Sequence, residues 1–334
     1  MRFDISIDQT SFSLLKKEEY AERFISEESR IEFQVADLVF FHCEDDDYVV
    51  IKTEAKVYKD GLHLVKTGKP YLIDGHMHLE YGPLNEEYVL EFVKAGVEKG
   101  LDEIDILDHT HRFKEFEPCY EHLKKYEAQS EWLKQPTKFC SRLPEYYDLI
   151  SRIRKLDLPI RVRFGLEVCY SKNTEELLKE ILKDVKLDFL TGAIHSFDSI
   201  LYDMSFSAEL FEKERLDADQ IVSSYYEAVN DCIDSGLFDR LAHPDQIKMI
   251  GKKVTYDLKK TYEQIADNLL KADMYAENNT GAHYRYHLED IGLNEEMMNI
   301  FKKKDVRMIC ASDAHKPADV GSYIAQATNL CGRN

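Results

Sequence analysis

The sequence predicts an α/β chain whose larger part is a closed or nearly closed barrel of parallel strands. Two observations carry this. From residue 71 onward, short apolar runs alternate with charged, amphipathic stretches, the rhythm of repeated strand–helix–strand units. Each of seven apolar runs also delivers a His, Asp, Glu or Asn at its end, as expected where the C-terminal ends of parallel strands surround one mouth. An open, doubly wound sheet is the structural alternative.

Residues 1–70 read as a small β-rich segment. A short helix is expected near Leu14–Phe24. Ile31–Phe41 has strand character, and Tyr48–Tyr58 alternates partly with period two. Lys59-Asp60-Gly61 offers a turn into a returning strand at Leu62–Val65. Gly68-Lys69-Pro70 marks a boundary, so the chain divides into a segment 1–70 and a barrel 71–334. The barrel strands are placed at Tyr71–His76, Glu103–Leu107, Val162–Val168, Phe189–His195, Arg240–His243, Met274–Asn278 and Val306–Ala311. Helices are expected at Glu86–Lys99, Pro144–Leu156, Thr174–Val185, Ala218–Ser235, Leu258–Lys271, Asn294–Lys304 and Ala318–Leu330. Residues 112–143 interrupt the rhythm with an aromatic, charged stretch after the second strand. They are either a substrate-covering loop or a helical insertion with its own core.

Composition narrows the function. The 334 residues are 44% hydrophobic, enough for a sizeable core, and contain no apolar run long enough to span a membrane. Met1–Thr10 lacks the pattern of a signal peptide, and seven cysteines are scattered without a CxxC pair. A cytoplasmic protein with reduced thiols is expected. The net charge of −19 repels nucleic acid backbones and anionic membranes, leaving a small substrate as the expected partner and a homo-oligomer open.

The strand exits carry the chemistry. They read Asp74-Gly75-His76-Met77-His78, Asp108-His109, Glu167 within Gly165-Leu166-Glu167-Val168, His195, His243, Glu277-Asn278-Asn279-Thr280, and Ser312-Asp313-Ala314-His315. Residues two apart in an extended segment point the same way, so His76 and His78 can share one ion, as can Asp313 and His315. A lone histidine at a strand end is most often a hydrogen-bonded structural residue. Six of the twelve histidines fall on these exits, with Glu167 and Asp313 among them, which that explanation does not cover. Imidazole and carboxylate without thiolate suit zinc, manganese or ferrous iron. The ligand count exceeds what one ion needs and suggests two or three divalent ions sharing bridging groups. Such ions lower the pKa of a bound water and clamp an oxyanion during in-line displacement, so phosphate esters are the expected substrates. Amide hydrolysis uses similar ligands and stays open.

In order and strand placement, Asp74-Gly75-His76-Met77-His78, Asp108-His109, Gly165-Leu166-Glu167, Gly192-Ala193-Ile194-His195, Ala242-His243-Pro244 and Ser312-Asp313-Ala314-His315 resemble the PHP (polymerase and histidinol phosphatase) superfamily, from about residue 71 to the end. Asn278-Asn279-Thr280-Gly281 and Ser312–Pro317 look most like its histidinol phosphate phosphatases. The resemblance implies a distorted (β/α)7 barrel with a trinuclear metal site. His76, His78, Glu167 and Asp313 would hold the first ion. Glu167 would bridge to a second, also bound by His195 and His243, and His109 and His315 would hold the third. Asp108 would orient ligands or move protons. Many members carry a further histidine or aspartate a few residues after the His-x-His pair. This chain has Leu79-Glu80-Tyr81-Gly82-Pro83-Leu84 there, so Glu80, which continues the 76, 78, 80 alternation, is the expected substitute.

Phosphate recognition calls for cations near the mouth, and Arg112 and Arg285 are the candidates, with His111 and His283 as further substrate-binding residues. The expected function is metal-dependent hydrolysis of a small phosphate monoester. Asp313, Asp108 and Glu167 would form the catalytic group, and the resemblance implies L-histidinol phosphate as substrate and histidine biosynthesis as the setting. Rivals are a PHP phosphoesterase for another small ester such as a nucleotide, a polymerase-associated or exonuclease role disfavoured by length and charge, and a non-catalytic binding module.

Overall fold

The computed structural model describes residues 71–331 throughout and, ahead of them, only the strands between Phe3 and Leu64. The chain divides into two compact units, one ending at Tyr71 and the other running from Leu72 to Gly332.

In the first unit, Phe3–Ile7, Thr10–Lys16, Asp47–Lys52, Leu38–His42 and Ile31–Val35 lie in that order in one antiparallel sheet. Ala55–Tyr58 and Gly61–Leu64 pair antiparallel in a separate two-stranded sheet, with Tyr58 opposite Gly61, and Lys59-Asp60 of the expected turn lie outside the described residues. The helix expected near Leu14–Phe24 is not found at its start: Leu14 pairs with Phe3 on one side and Val49 on the other, so strand pairing overrides local propensity there. The rest of that helix falls outside the described residues.

The second unit holds seven parallel strands. These are β1 (Ile73–Met77), β2 (Glu103–His109), β3 (Arg161–Cys169), β4 (Phe189–Ala193), β5 (Arg240–Leu241), β6 (Tyr275–Asn279) and β7 (Met308–Ala311), hydrogen-bonded in sequence order. Beyond the two ends the chain meets itself: His78 N–H donates to the Ala314 carbonyl at 2.7 Å and Ala314 N–H to the His76 carbonyl at 3.3 Å. That near-closure selects the barrel over the open sheet. Asp74 ties the same seam. Its carboxylate accepts from the Ser312 amide and hydroxyl and from Gly321 N–H, while complete burial pushes the carboxyl up to about 6 against those hydrogen bonds.

Ten helices clothe the barrel among the described residues: α1 (Glu86–Glu98), α2 (Glu127–Leu133), α3 (Leu143–Ile153), α4 (Glu175–Leu182), α5 (Ser207–Lys213), α6 (Ala218–Asp234), α7 (Lys259–Ala272), α8 (Gly281–Tyr286), α9 (Glu295–Lys303) and α10 (Ile324–Cys331). Their starts follow local chemistry. Asn85 and Asn294 cap α1 and α9 through their side chains, and Asp217 with Gln220 makes a capping box on α6. Apolar positions at helical spacing, such as Val89, Phe92 and Val93 of α1 or Ile265, Ala266 and Leu269 of α7, turn inward. The last predicted helix, Ala318–Leu330, starts late because Gly321 (φ 73°) and Tyr323 (φ 62°) are left-handed and end a short turn at Pro317–Asp319.

Two features place the functional end. Residues 112–143 fold as a 3₁₀ segment over Lys114–Lys125 followed by α2, with Phe116, Tyr120, Leu123, Tyr126 and Leu133 buried. Near the opposite end of the strands, charged residues fill the barrel interior. Arg240 Nη1 donates to Asp105 Oδ2 at 2.7 Å and lies over the Phe189 ring, while Glu103 and Arg163 are equally buried. No helix among the described residues is long and apolar enough to cross a membrane.

Candidate metal centre and active site

The strand exits converge as parallel strands require. Glu167, on β3, is 1% exposed and lies at the centre. Its Oε1 is 3.0 Å from His195 Nε2 and 3.0 Å from His243 Nε2. Its Oε2 is 3.0 Å from His109 Nε2 and 3.4 Å from both His76 Nε2 and His78 Nε2. His78 Nε2 is also 3.4 Å from Asp313 Oδ1. Glu80 reaches the other flank, with carboxylate oxygens 3.4 Å from His109 Nδ1, 3.0 Å from His111 Nε2 and 3.3 Å from His315 Nε2. All nine expected ligands are therefore brought together, and His111 joins them at the Glu80 side.

Backbone geometry aims several of these groups. The β1–β2 register shifts between Asp74 and Met77, and such an irregularity redirects the side chains that follow it. His243 (φ 26°) and Asp313 (φ 58°) are left-handed non-glycine residues just past β5 and β7, a conformation retained where surrounding structure imposes it, often at functional sites. This ends β5 at Leu241, two residues short of the prediction. Gly281 leaves room on α8, since a Cβ there would come within 2.6 Å of Arg285 Nη2 and 3.2 Å of Asp313 Cβ.

Outer partners fix the imidazoles. His76 Nδ1 lies 2.8 Å from Glu277 Oε1, and Glu277 Oε2 accepts from the His243 amide at 3.3 Å and from Asn279 at 3.2 Å. His195 Nδ1 lies 3.2 Å from Asp203 Oδ2. Arg285 Nη2 lies 2.5 Å from Asp313 Oδ2, and Nη1 is 2.7 Å from His315 Nδ1. The carboxylates among them, with the Asp313 carbonyl 2.9 Å from His315 Nδ1, are the kind of acceptor that sets ring orientation and basicity in a metal site.

The electrostatics fit divalent cations. Burial alone would push Glu167 up, but His109, His76 and His195 outweigh it and hold the carboxyl well below its usual range. Asp313 is also held well below the usual range, burial being overcome by Arg285 and His78. Burial likewise opposes but does not prevent the raising of His109 to about 9 by Glu167 and Glu80. His76 is driven up by Glu277 and Glu167 against its burial, whereas burial and the neighbouring His109 and His315 keep His78 neutral. Without a cation, protons on imidazoles compensate the buried carboxylates, and metal binding would release them. The donor atoms of His76, His78 and Glu167, of His109, Glu167 and His195, of His78, His109 and His315, and of Glu80, His109 and His111 each lie within 4.8 Å of one another. Glu167 Oε2 and His78 Nδ1 are buried without a hydrogen-bond partner of acceptable geometry. Donors that crowd common points without bonding well to each other suit shared ions.

The remaining expected residues divide. Arg285 and His111 line a cavity of about 290 Å³ in front of this cluster. Arg112 does not. It is 4% exposed, donates to Asp108 Oδ2 at 2.9 Å and to the Gly82 carbonyl at 2.9 Å, and so fastens the loop after β1. Asp108 is fully buried between Arg112 and the Leu79 amide, so this pair holds the loop that carries Glu80. His283 points away, donating toward the Leu288 carbonyl at 2.6 Å and lying edge-on to Tyr323. Sequence reasoning missed Glu277, Asp203, Trp132 and Lys138. Glu277 was visible as a strand-exit carboxylate; the other three lie in loops and the insertion, where no periodic signal marks them.

The chain is similar to known proteins over about three quarters of its length. A probable histidinol-phosphatase of Deinococcus radiodurans is 24% identical over 263 residues, covering 77% of this chain and 91% of that protein. A histidinol-phosphatase of Bacillus subtilis is 23% identical over 266 residues, covering 74% and 95%. Among solved structures, a Listeria monocytogenes protein described as a candidate histidinol phosphatase superposes with a TM-score of 0.61 at 21% identity, covering 75% of this chain and 98% of that one. A histidinol phosphate phosphatase from Lactococcus lactis, complexed with zinc, L-histidinol and phosphate, superposes with a TM-score of 0.56 at 16% identity, covering 78% and 93%. The family model of the PHP domain matches residues 74–281, from the seam aspartate of β1 to the first residue of α8, and the chain therefore belongs to the PHP domain family.

Proposed function

We propose that this protein hydrolyses a small phosphate monoester with divalent metal ions, and that L-histidinol phosphate, yielding L-histidinol and phosphate, is its substrate. The observation that carries the reading is Glu167, whose two oxygens lie within 3.4 Å of five histidine nitrogens at the floor of a cavity. The similarity to histidinol-phosphatases over most of their length supports the substrate. His76, His78, Glu167 and Asp313 would hold one ion, His195 and His243 with Glu167 a second, and Glu80, His109 and His315 a third. Zinc, manganese or iron in such a site would supply Lewis acidity and the positive charge that neutralises phosphoryl oxygens.

The chain's own groups do the rest. Glu167 is held ionised and can bridge neighbouring cations through its two oxygens. Asp313 keeps one oxygen, Oδ1, toward His78 while Arg285 holds the other, so its carboxylate stays ionised and fixed in direction, where it can orient an attacking water by accepting its hydrogen bond. Arg285 adds fixed positive charge beside that oxygen. Asp108 acts through the loop it anchors rather than by touching substrate. Burial of His76, His78 and Glu167 at 1% exposure or less keeps bulk water from the cluster's floor.

A second reading, a PHP phosphoesterase for another small ester, is favoured by one feature: Trp132, Gln135 and Thr137 of the insertion line the cavity and would set the choice of alcohol. Phosphate release from L-histidinol phosphate is to be measured against a panel of monoesters with zinc, manganese or iron supplied. Preferential turnover of histidinol phosphate is expected. Turnover of other esters alone would move the substrate to the second reading, and no turnover with any metal would overturn both.

A further inference from the structure

One wall of the cavity is not built by metal ligands. It comes from the insertion after β2, through Trp132, Gln135, Thr137 and Lys138. Lys138 and Arg285 are the lysine and the arginine among the lining residues, and their charges are in different states. Arg285 is committed: Asp313 and His315 hold both ends of its guanidinium. Lys138 makes no ion pair with a carboxylate among the described residues. Its Nζ lies 2.8 Å from His111 Nε2 and 4.3 Å from the centre of the Trp132 ring. The aromatic face holds the ammonium by its quadrupole but does not neutralise it.

The backbone aims this lysine. The following residue, Phe139, is left-handed (φ 49°), a region an aromatic residue occupies only under constraint. The constraint is visible: Phe139 N–H donates to the His111 carbonyl at 2.7 Å, and Ser141 N–H to the Arg112 carbonyl at 3.1 Å. The chain leaving the insertion is thus pinned to the chain leaving β2, and the bend directs Lys138 toward the cavity.

We propose that Lys138 is the phosphate-contacting cation of this site, donating from Nζ to a non-bridging oxygen of the substrate's phosphoryl group while Arg285 stays with Asp313 and His315. The inference rests on the phosphatase reading above. A phosphate dianion supplies the direct ion-pair partner that Lys138 lacks among the described residues and replaces its contact with a neutral imidazole nitrogen by a charge-assisted hydrogen bond. The Trp132 face limits how far the ammonium can swing, so the same oxygen position serves esters of different alcohols. Lys138 therefore recognises the phosphoryl group common to all substrates, and discrimination among alcohols falls to the remainder of the wall.

The test uses the full metal-loaded chain with Lys138→Met and Lys138→Arg. Three quantities are read: KM and kcat for the best ester of the panel, the dissociation constant of inorganic phosphate by calorimetry, and bound metal per chain by elemental analysis. Lys138→Met is expected to weaken phosphate binding by about tenfold, the size of one hydrogen bond to a charged group. It should raise KM more than it lowers kcat, with metal content unchanged. Lys138→Arg should recover much of the loss. Unchanged phosphate affinity and KM in Lys138→Met would overturn the proposal while leaving the phosphatase reading intact. Loss of metal in step with loss of phosphate binding would also overturn it, since Lys138 would then act through His111 and Glu80. A wild-type chain that neither hydrolyses the esters nor binds phosphate would overturn both.

Discussion

Glu277 stands behind the candidate metal ligands, and a residue with no reach to substrate can still govern the site. One of its oxygens holds His76 Nδ1 at 2.8 Å, and the other takes the His243 amide, so a single carboxylate orients ligands from β1 and the end of β5. Replacing it by glutamine keeps the shape but removes the charge that makes His76 more basic. Glu277→Gln is expected to weaken metal binding by roughly 10–100-fold, the usual cost of losing such an outer partner. Competition with a chromophoric chelator measures this, and an unchanged affinity with a normal circular dichroism spectrum would show that His76 needs no such support. The convergence of the candidate ligands was legible because a strand exit reveals residue type and position together. Asp108 was expected to orient ligands and does hold the loop that carries Glu80, whereas Arg112 was legible as a residue but not as its partner. On either side of His109 in sequence, Asp108 and Arg112 turn to each other because a buried carboxylate and guanidinium satisfy one another. No single-sequence signal separates that outcome from an arginine waiting for phosphate.

At the level of elements, all seven strands appear where apolar runs bounded by helical stretches place them, and their ends differ for local reasons. β5 stops before His243 and α10 starts after Tyr323 because both residues are left-handed, which pattern alone does not reveal. The short helices α5 and α8 span seven and six residues, too few for a periodic signal. The insertion shows why loops escape such reasoning. Its position depends on Gln129, fully buried on α2, which donates to the carbonyls of Leu123 and Ser199 at 2.7 and 2.9 Å and accepts from Leu201 N–H at 2.8 Å. Residues 70 apart in sequence are thereby clamped, and the hairpin of Ser196–Phe197 and Ile200–Leu201 leads directly to Asp203, the partner of His195. Gln129→Met nearly keeps the volume but leaves buried backbone groups without partners, at a cost of about 1–3 kcal/mol for each fully orphaned group. The strain falls on the insertion, so limited proteolysis should cut residues 112–143 faster and KM should rise while metal content holds. Cleavage and KM matching the wild type would mean that apolar burial alone fixes the insertion.

For the whole molecule, the distribution of charge matters more than its sum. The chain carries a net charge of −19, yet Glu80, Glu167 and Asp313 are gathered, almost fully buried, at one end of the barrel, with a second charged layer of Glu103, Asp105, Arg163 and Arg240 inside. The inner layer is internally paired, as the 2.7 Å contact of Arg240 with Asp105 illustrates, and needs nothing from solution. In the outer cluster Arg285 balances Asp313, but Glu80 and Glu167 are compensated by protons on imidazoles, so cations that bind the folded state and not the unfolded chain must stabilise the fold. At a free-ion concentration 100 times the dissociation constant the linkage contributes about 2.7 kcal/mol. For a domain of this size that corresponds to a rise in Tm of roughly 5–10 °C. Calorimetry of chelator-stripped protein, titrated with zinc or manganese, is expected to show this rise, and Asp313→Ala should reduce it strongly because His78 and Arg285 lose their common partner. A similar rise in Asp313→Ala would point to ions held by the acidic surface, whereas no rise in the wild type would mean that the protons suffice and the cluster is not a metal centre.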